Sequence, residues 1–455
     1  MKKVILTFIL MLMFFALPAI TLEESIELAK ENNKELLAEK SAFKSADWSK
    51  KNALTNFLPK ASFNSTMIRI DDDTYDLATG MQEIPVLGST GMPTGDYIPF
   101  STAAMGTGFY KTTYTNDISI QQSIFNGGKV ILGYQLAKLA KKQAYLALQS
   151  KEKDVSYAIA STYFGILKLQ DLQTLSQKSL ESTLSHLESV QKNYEVGTAK
   201  KSDVLQWQVK QKNDETALSE IGNNIDELYG FWQILLGAEE AEKPSEIDVT
   251  EYDSETLQYA VMEKSELEKA AEEFLTEVEK TSPTIQTMEL AEKMMEKNYC
   301  MAKGEFLPSL NLQFSYQFES DDEFDFDGED NWNLVAAFSV PIFTSGTNYS
   351  NLKKSKYDLK KTKYETEFAQ ENYMVTAKNV FYKLITKART VEDNKTALEF
   401  AQENHKIVNE LYTQGMVTNT ELMDAEAMLF GSEMNLVASY YDYILLKYEI
   451  KKYTN

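Results

Sequence analysis

The chain has a single cysteine, Cys300, in 455 residues. One thiol cannot form a disulfide within the chain, so no staple holds this fold. Arginine is almost as rare, at Arg69 and Arg389 only, and acids outnumber bases 68 to 46, for a formal charge of −22. Nucleic-acid binding needs a basic face, which this composition does not offer. An acidic chain still suits a conduit that attracts cations. The two histidines, His186 and His405, have no second ligand at metal spacing, which gives them surface or packing roles. No Walker A sequence is present, because Gly128-Lys129 lacks the glycine five residues earlier. No Ser-His-Asp order is visible either. These gaps predict a protein that is not an enzyme and holds neither metal nor cofactor.

Long apolar runs are missing beyond the first residues. Lys2 and Lys3 precede an apolar stretch over 4–17, followed by Pro18-Ala19. That order predicts a signal peptide over 1–20, cleaved near Ala19 and too short to span a bilayer as a helix. No cysteine stands at the cleavage site to carry a lipid, and no later run of 18 apolar residues predicts a transmembrane helix.

Proline is scarce too, and its placement punctuates the chain. None occurs between Pro99 and Pro244 or after Pro341. The first helical stretch, 22–56, ends at Phe57-Leu58-Pro59, followed by a strand over 61–70. Residues 71–113 read as a loop with three prolines and no sustained period. Ile118, Ile120 and Ile124 then alternate with polar residues, and a strand over 114–125 runs through Asn126-Gly127-Gly128 into helical spacing. From 127 to 194 the helix would extend about 100 Å at about 1.5 Å per residue. A helix of that length belongs in a coiled coil or a tube. Tyr194-Glu195-Val196-Gly197 breaks it, and a second helix fills 202–236.

The pattern then repeats. Phe306-Leu307-Pro308 leads into a strand over 310–319, an acidic turn over 321–330 and a strand over 332–342. Long helices follow, broken at Tyr412-Thr413-Gln414-Gly415 and resuming over 421–453. Phe343, Gly346, Tyr412 and Gly415 each fall 218 positions after Phe125, Gly128, Tyr194 and Gly197. This predicts an internal duplication, with a first repeat over 21–237, an acidic connector over 238–260 and a second repeat over 261–455. The first copy's extra residues fit its long loop. The run Glu323-Phe324-Asp325-Phe326-Asp327-Gly328 fails the EF-hand pattern and reads as a solvated acidic loop.

Leu310, Leu312, Phe314, Tyr316 and Phe318 alternate with Asn311, Gln313, Ser315, Gln317 and Glu319. A strand of about ten residues with one apolar face matches a bilayer-spanning β-strand. In lipid only a closed barrel pairs every backbone group. Four strands cannot close, whereas two chains would supply eight and three would supply twelve, with room for a channel. Phe125, Trp332 and Phe343 suit an interfacial aromatic girdle. The alternative is a secreted helical rod, structural or adhesive, whose strands form a soluble head.

The signal peptide, the duplicated strand–loop–strand units, the Phe-Leu-Pro turns and the Tyr-x-x-Gly breaks together resemble the TolC outer-membrane efflux channels. The resemblance covers nearly all of the mature chain. It implies an α+β membrane protein in which three chains share a twelve-stranded outer-membrane barrel that continues into a helical periplasmic tube. It also implies a homotrimer in outer-membrane lipid, a periplasmic adaptor docked at the tips carrying Gly197 and Gly415, and an inner-membrane RND or ABC transporter as the energy source. In the family, acidic side chains line a closed periplasmic entrance. Asp203, Glu421 and Asp424 match those positions, and Tyr412 matches a tyrosine that helps hold the entrance shut. Val417 stands where the best-known gate has an arginine, so a salt bridge from that position is not expected. Glu421 also completes a capping box with Thr418.

Overall fold

The computed structural model describes residues 19–101, 110–238, 242–320 and 329–454. Nearly all of the expected signal peptide and most of the acidic turn lie outside these residues. The chain divides into two compact units, one formed by 47–139 with 293–361 and the other by 1–46, 140–292 and 362–455.

The first unit holds the strands. β1 (Lys60–Arg69), β4 (Thr112–Asn126), β5 (Ser309–Ser320) and β6 (Glu329–Ser339) form one antiparallel sheet in the order β1-β4-β5-β6. Registered neighbours share a face. Ser62, Ser119, Ser315 and Asn333 make one row, in which the Ser62 and Ser119 hydroxyls lie 2.8 Å apart. The adjoining row, on the opposite face, is Phe63, Ile118, Tyr316 and Trp332. One face is therefore polar and the other apolar, and Phe63, Ile118, Trp332, Leu334 and Phe338 are all exposed. Among the described residues, the outer edges of β1 and β6 have no strand partner.

Both passages from strand to helix use the same backbone device. Gly127 and Gly128 have φ of 66° and 81°; Ser345 and Gly346 have 49° and 80°. Asn126 Oδ1 accepts the Val130 amide at 3.2 Å, and Thr344 Oγ1 accepts the Asn348 amide at 3.5 Å. The chain reverses into each helix through two left-handed residues, held by a side-chain cap.

Three expectations about element bounds need correction. Residues 71–113 are not simply loop. They contain helix α3 (Asp72–Thr79) and a separate hairpin of β2 (Met81–Leu87) and β3 (Pro93–Ser101). Both strands of a two-stranded hairpin are edges, where proline is tolerated, so the prolines misled the sequence reading. The first helical stretch is two helices, α1 (Leu22–Asn32) and α2 (Lys34–Thr55), broken at Asn33. The Asn33 side chain accepts the Leu36 amide and donates to the Leu235 carbonyl oxygen at 2.9 Å, a partner far along the sequence. The last strand ends at Ser339, ahead of Pro341, whose nitrogen cannot continue the ladder.

The second unit is helical. Long segments of α4 (Lys129–Glu195) and α9 (Thr347–Thr413), each 67 residues, run with α5 (Lys201–Leu236) and α10 (Asn419–Ile450). Val155, Ile159, Tyr163, Ile166 and Leu167 of α4 fall at i, i+4, i+8, i+11 and i+12 and are buried with Trp232, Leu384, Tyr441 and Ile444. This is the one-sided apolar stripe of an amphipathic helix. The expected connector is partly helical, because α6 (Asp253–Ala260) follows a 3₁₀ turn. It is tied down by polar bonds, Trp232 Nε1 to the Glu242 carbonyl at 3.0 Å and Tyr163 Oη to the Ser245 carbonyl at 2.8 Å. Helices α7 (Lys264–Thr281) and α8 (Pro283–Gly304) complete the order, and α7 buries Phe274 and Val278 against Phe381 and Ile385. No helix among the described residues is long and apolar enough to cross a membrane.

Candidate functional site at the helix-hairpin tips

Each pair of long helices reverses through a short turn, and the two turns are built alike. At the first, Gly197 has φ 82°, its amide bonds the Tyr194 carbonyl at 3.0 Å, and the Thr198 amide bonds the Asn193 carbonyl at 2.8 Å. At the second, Gly415 has φ 73°, its amide bonds the Tyr412 carbonyl at 3.0 Å, and the Met416 amide bonds the Leu411 carbonyl at 2.9 Å. This paired bonding around a left-handed residue is the Schellman helix ending, and it favours glycine there.

The helices restart with matching caps. Asp203 accepts the Lys200 amide at 3.1 Å, and Glu421 accepts the Thr418 amide at 2.6 Å. Thr418 Oγ1 also donates to Glu421, at 2.8 Å, and accepts the Glu421 amide. These bonds from the Thr418 amide and hydroxyl hold the Glu421 carboxyl below its ordinary 4.5. Both acids sit three residues after the cap, where the helix dipole favours negative charge. Local capping thus accounts for the placement of both side chains.

Tyr412 is half-buried in a cluster with Val190, Val204, Trp207 and Leu422. Burial, reinforced by the Asp203 and Glu426 charges, pushes its phenol above the ordinary 10.0, so it remains a neutral hydroxyl. Asp424 is exposed and lines a groove of about 690 Å³ with Leu205, Gln206, Val209, Thr420 and Met423. The tip therefore brings Asp203 and Tyr412 near each other and leaves Asp424 open to solvent. Phe125, Trp332 and Phe343 belong to the strand unit and are exposed by 44%, 67% and 85%.

The sequence reading missed a polar cluster beside the tip. His186 Nε2 lies 2.7 Å from Glu426 Oε1, and the His186 ring stacks on Trp207 at 4.9 Å and 16°. Ser182 donates to the same Glu426 oxygen, at 3.3 Å. Trp207 Nε1 donates to Asn419 Oδ1 at 2.6 Å, and Asn419 Nδ2 donates to Gln206 Oε1 at 3.0 Å. His186 is thus stacked on Trp207 and in close contact with Glu426. No spacing within one repeat could reveal partners that come together from opposite repeats.

The family model for outer membrane efflux proteins matches residues 26–227 and 274–447. TolC of Escherichia coli K12 is 20% identical over 389 residues, covering 81% of this chain and 74% of that protein. The alkaline protease secretion protein AprF of Pseudomonas aeruginosa is 20% identical over 340 residues, covering 73% and 67%. The fold matches the Campylobacter jejuni CmeC outer membrane channel with a TM-score of 0.71 at 16% identity, over 95% of this chain and 85% of that one. These likenesses lend no support to a secreted rod, and the family they define is one of channel proteins. The chain belongs to the outer membrane efflux protein family and is an outer-membrane efflux or secretion channel.

Proposed function

We propose that three copies of the chain close one barrel and form a passive exit duct. The duct gives substrates of an inner-membrane pump a path across the periplasm and the outer membrane. The observation that carries this reading is the four-stranded sheet, apolar on one face and polar on the other, in which, among the described residues, neither β1 nor β6 has a strand partner at its outer edge. A bilayer does not tolerate an open edge, so each β1 must find a β6 from another copy. Twelve strands also leave a lumen, which the row of Ser62, Ser119, Ser315 and Asn333 would line, while Phe63, Ile118 and Trp332 face lipid. Phe125, Trp332 and Phe343 would sit in the interfacial girdle.

In this reading the tips point into the periplasm. The turns at Gly197 and Gly415 present the docking surface for a periplasmic adaptor, which links the duct to an RND or ABC transporter. Asp203, Glu421, Asp424 and Tyr412 gather around the duct's narrow inner end. Symmetry would bring three sets of carboxylates together there, a ring that attracts cations and needs bonds to stay closed. A second reading of Asp203 and Glu421 has direct support, since each caps its own helix. The substrate follows from the pump.

Single-channel recording in planar bilayers tests both parts. Detergent-purified wild type should have the mass of a trimer and pass a small, cation-selective current. Asp203→Ala, Glu421→Ala and Asp424→Ala combined should raise that current. A folded protein without current would refute the duct, and an unchanged current in the triple variant would reduce those acids to caps.

A further inference from the structure

We propose that the His186–Glu426 pair fastens α10 to the first helix hairpin and thereby sets how readily the tip opens. This inference deepens the gate reading above and rests on it. It names a latch that the tip turns themselves do not contain, for Val417 has no charge to contribute.

The cluster draws on three helices. Ser182 and His186 come from α4, Gln206 and Trp207 from α5, and Asn419 and Glu426 from α10. Asn419 is the first residue of α10, and Glu426 follows Asp424 by two positions. The two ties thus bracket Glu421 and Asp424, the gate acids carried by this helix. The bonds of Asp203 and Glu421 stay within three residues of their own caps, so they cannot hold one hairpin to the other. The bonds of the His186 cluster cross between hairpins.

The chemistry makes this tie asymmetric. The Glu426 side chain is only 10% exposed, and its Oε1 has His186 Nε2 at 2.7 Å and the Ser182 hydroxyl, donating, at 3.3 Å. A sheltered carboxylate that loses the closer of its two partners is left under-compensated, and the relief open to it is to move into water. Trp207, fully buried, holds the imidazole plane in place by stacking and fixes its own indole through Asn419. Removing the imidazole should therefore push α10 outward, whereas removing the carboxylate merely unties it. His186 and Glu426 act here as positioning residues.

The test is single-channel conductance of the full-length trimer, with the thermal unfolding midpoint measured on the same samples. His186→Ala should raise conductance several-fold, and Glu426→Ala should raise it less. The double variant should fall back to the Glu426→Ala level, because without the carboxylate the histidine has nothing to restrain. His186→Gln, which keeps a donor and most of the volume, should restore much of the closure. Where an alanine variant does not assemble, Glu426→Gln is compared with wild type and with His186→Gln, and the latch requires Glu426→Gln to conduct more than either. A lowered midpoint with unchanged conductance would overturn the latch and leave only packing, and additive effects in the double variant would overturn it too. If the variants at 186 and 426 are silent while the triple acid variant opens, the latch falls and the gate stands. If neither set changes the current, both fall.

Discussion

Gly127 and Gly128 are neighbours with positive φ, but only one of them is crowded. A Cβ on Gly127 would overlap the Gly304 carbonyl oxygen, whereas a Cβ on Gly128 meets nothing within 4 Å. Gly128→Ala should therefore cost only the left-handed backbone penalty, about 1–2 kcal/mol. Gly127→Ala should cost more, because the end of α8 must also move. Unfolding midpoints of the two variants in detergent decide the order, and equal losses would mean that the contact yields. A second residue-scale expectation concerns acid. Glu421 has a lowered carboxyl pKa in the folded state, so its contribution is fully present above 4.5 and is lost as pH falls through the lowered value. Protection of the first amides of α10 against hydrogen exchange, corrected for intrinsic rates, should drop as the pH falls from 4.5 through the lowered value. Glu421→Gln should lack that step.

At the scale of elements, the sheet makes a paired prediction. Leu334 registers with Phe314 on the apolar face, and Asn333 registers with Ser315 on the polar face. If the apolar face meets lipid, Leu334→Lys should cost about 2–4 kcal/mol near mid-bilayer and Asn333→Lys far less. The folded fraction after refolding into lipid vesicles reads the difference, and equal tolerance would argue against a lipid-facing row. These rows were legible in the sequence because residues 310–319 of β5 alternate without exception. The two 67-residue helices were legible because proline is absent across them. The break at Asn33 was not, since good helix formers flank it and the bond that fixes it goes to Leu235. Nor was the hairpin of β2 and β3, whose prolines argue against strand until its two open edges are known. The tips were partly legible: Tyr-x-x-Gly gave the turns and Thr418 with Glu421 gave a cap. The His186–Glu426 contact was not, because its members come from different repeats and share no period.

Assembly is the question for the whole molecule, and α9 offers a handle on it. Phe368, Val375, Phe400 and Ile407 are exposed by 67%, 59%, 69% and 48%. Their steps of 7, 25 and 7 residues keep them on the core positions of one heptad frame. Isolated apolar residues on a surface need no explanation, but two apolar pairs, each one heptad apart in the same frame and separated by polar core positions such as Asn379, Arg389 and Asp393, mark two contact points for another helix. In a trimer of this chain, that helix would belong to the neighbouring copy. Phe368→Lys with Phe400→Lys should then weaken assembly while leaving each protomer helical, because neither side chain lies in a protomer core. The measurement is mass by light scattering in detergent together with far-ultraviolet circular dichroism. A shift from trimer to monomer at unchanged helix content would place these contacts between copies. A stable trimer carrying both lysines would leave the strand edges of β1 and β6 as the assembly's main bond, and the two pairs would then face the lumen or an adaptor.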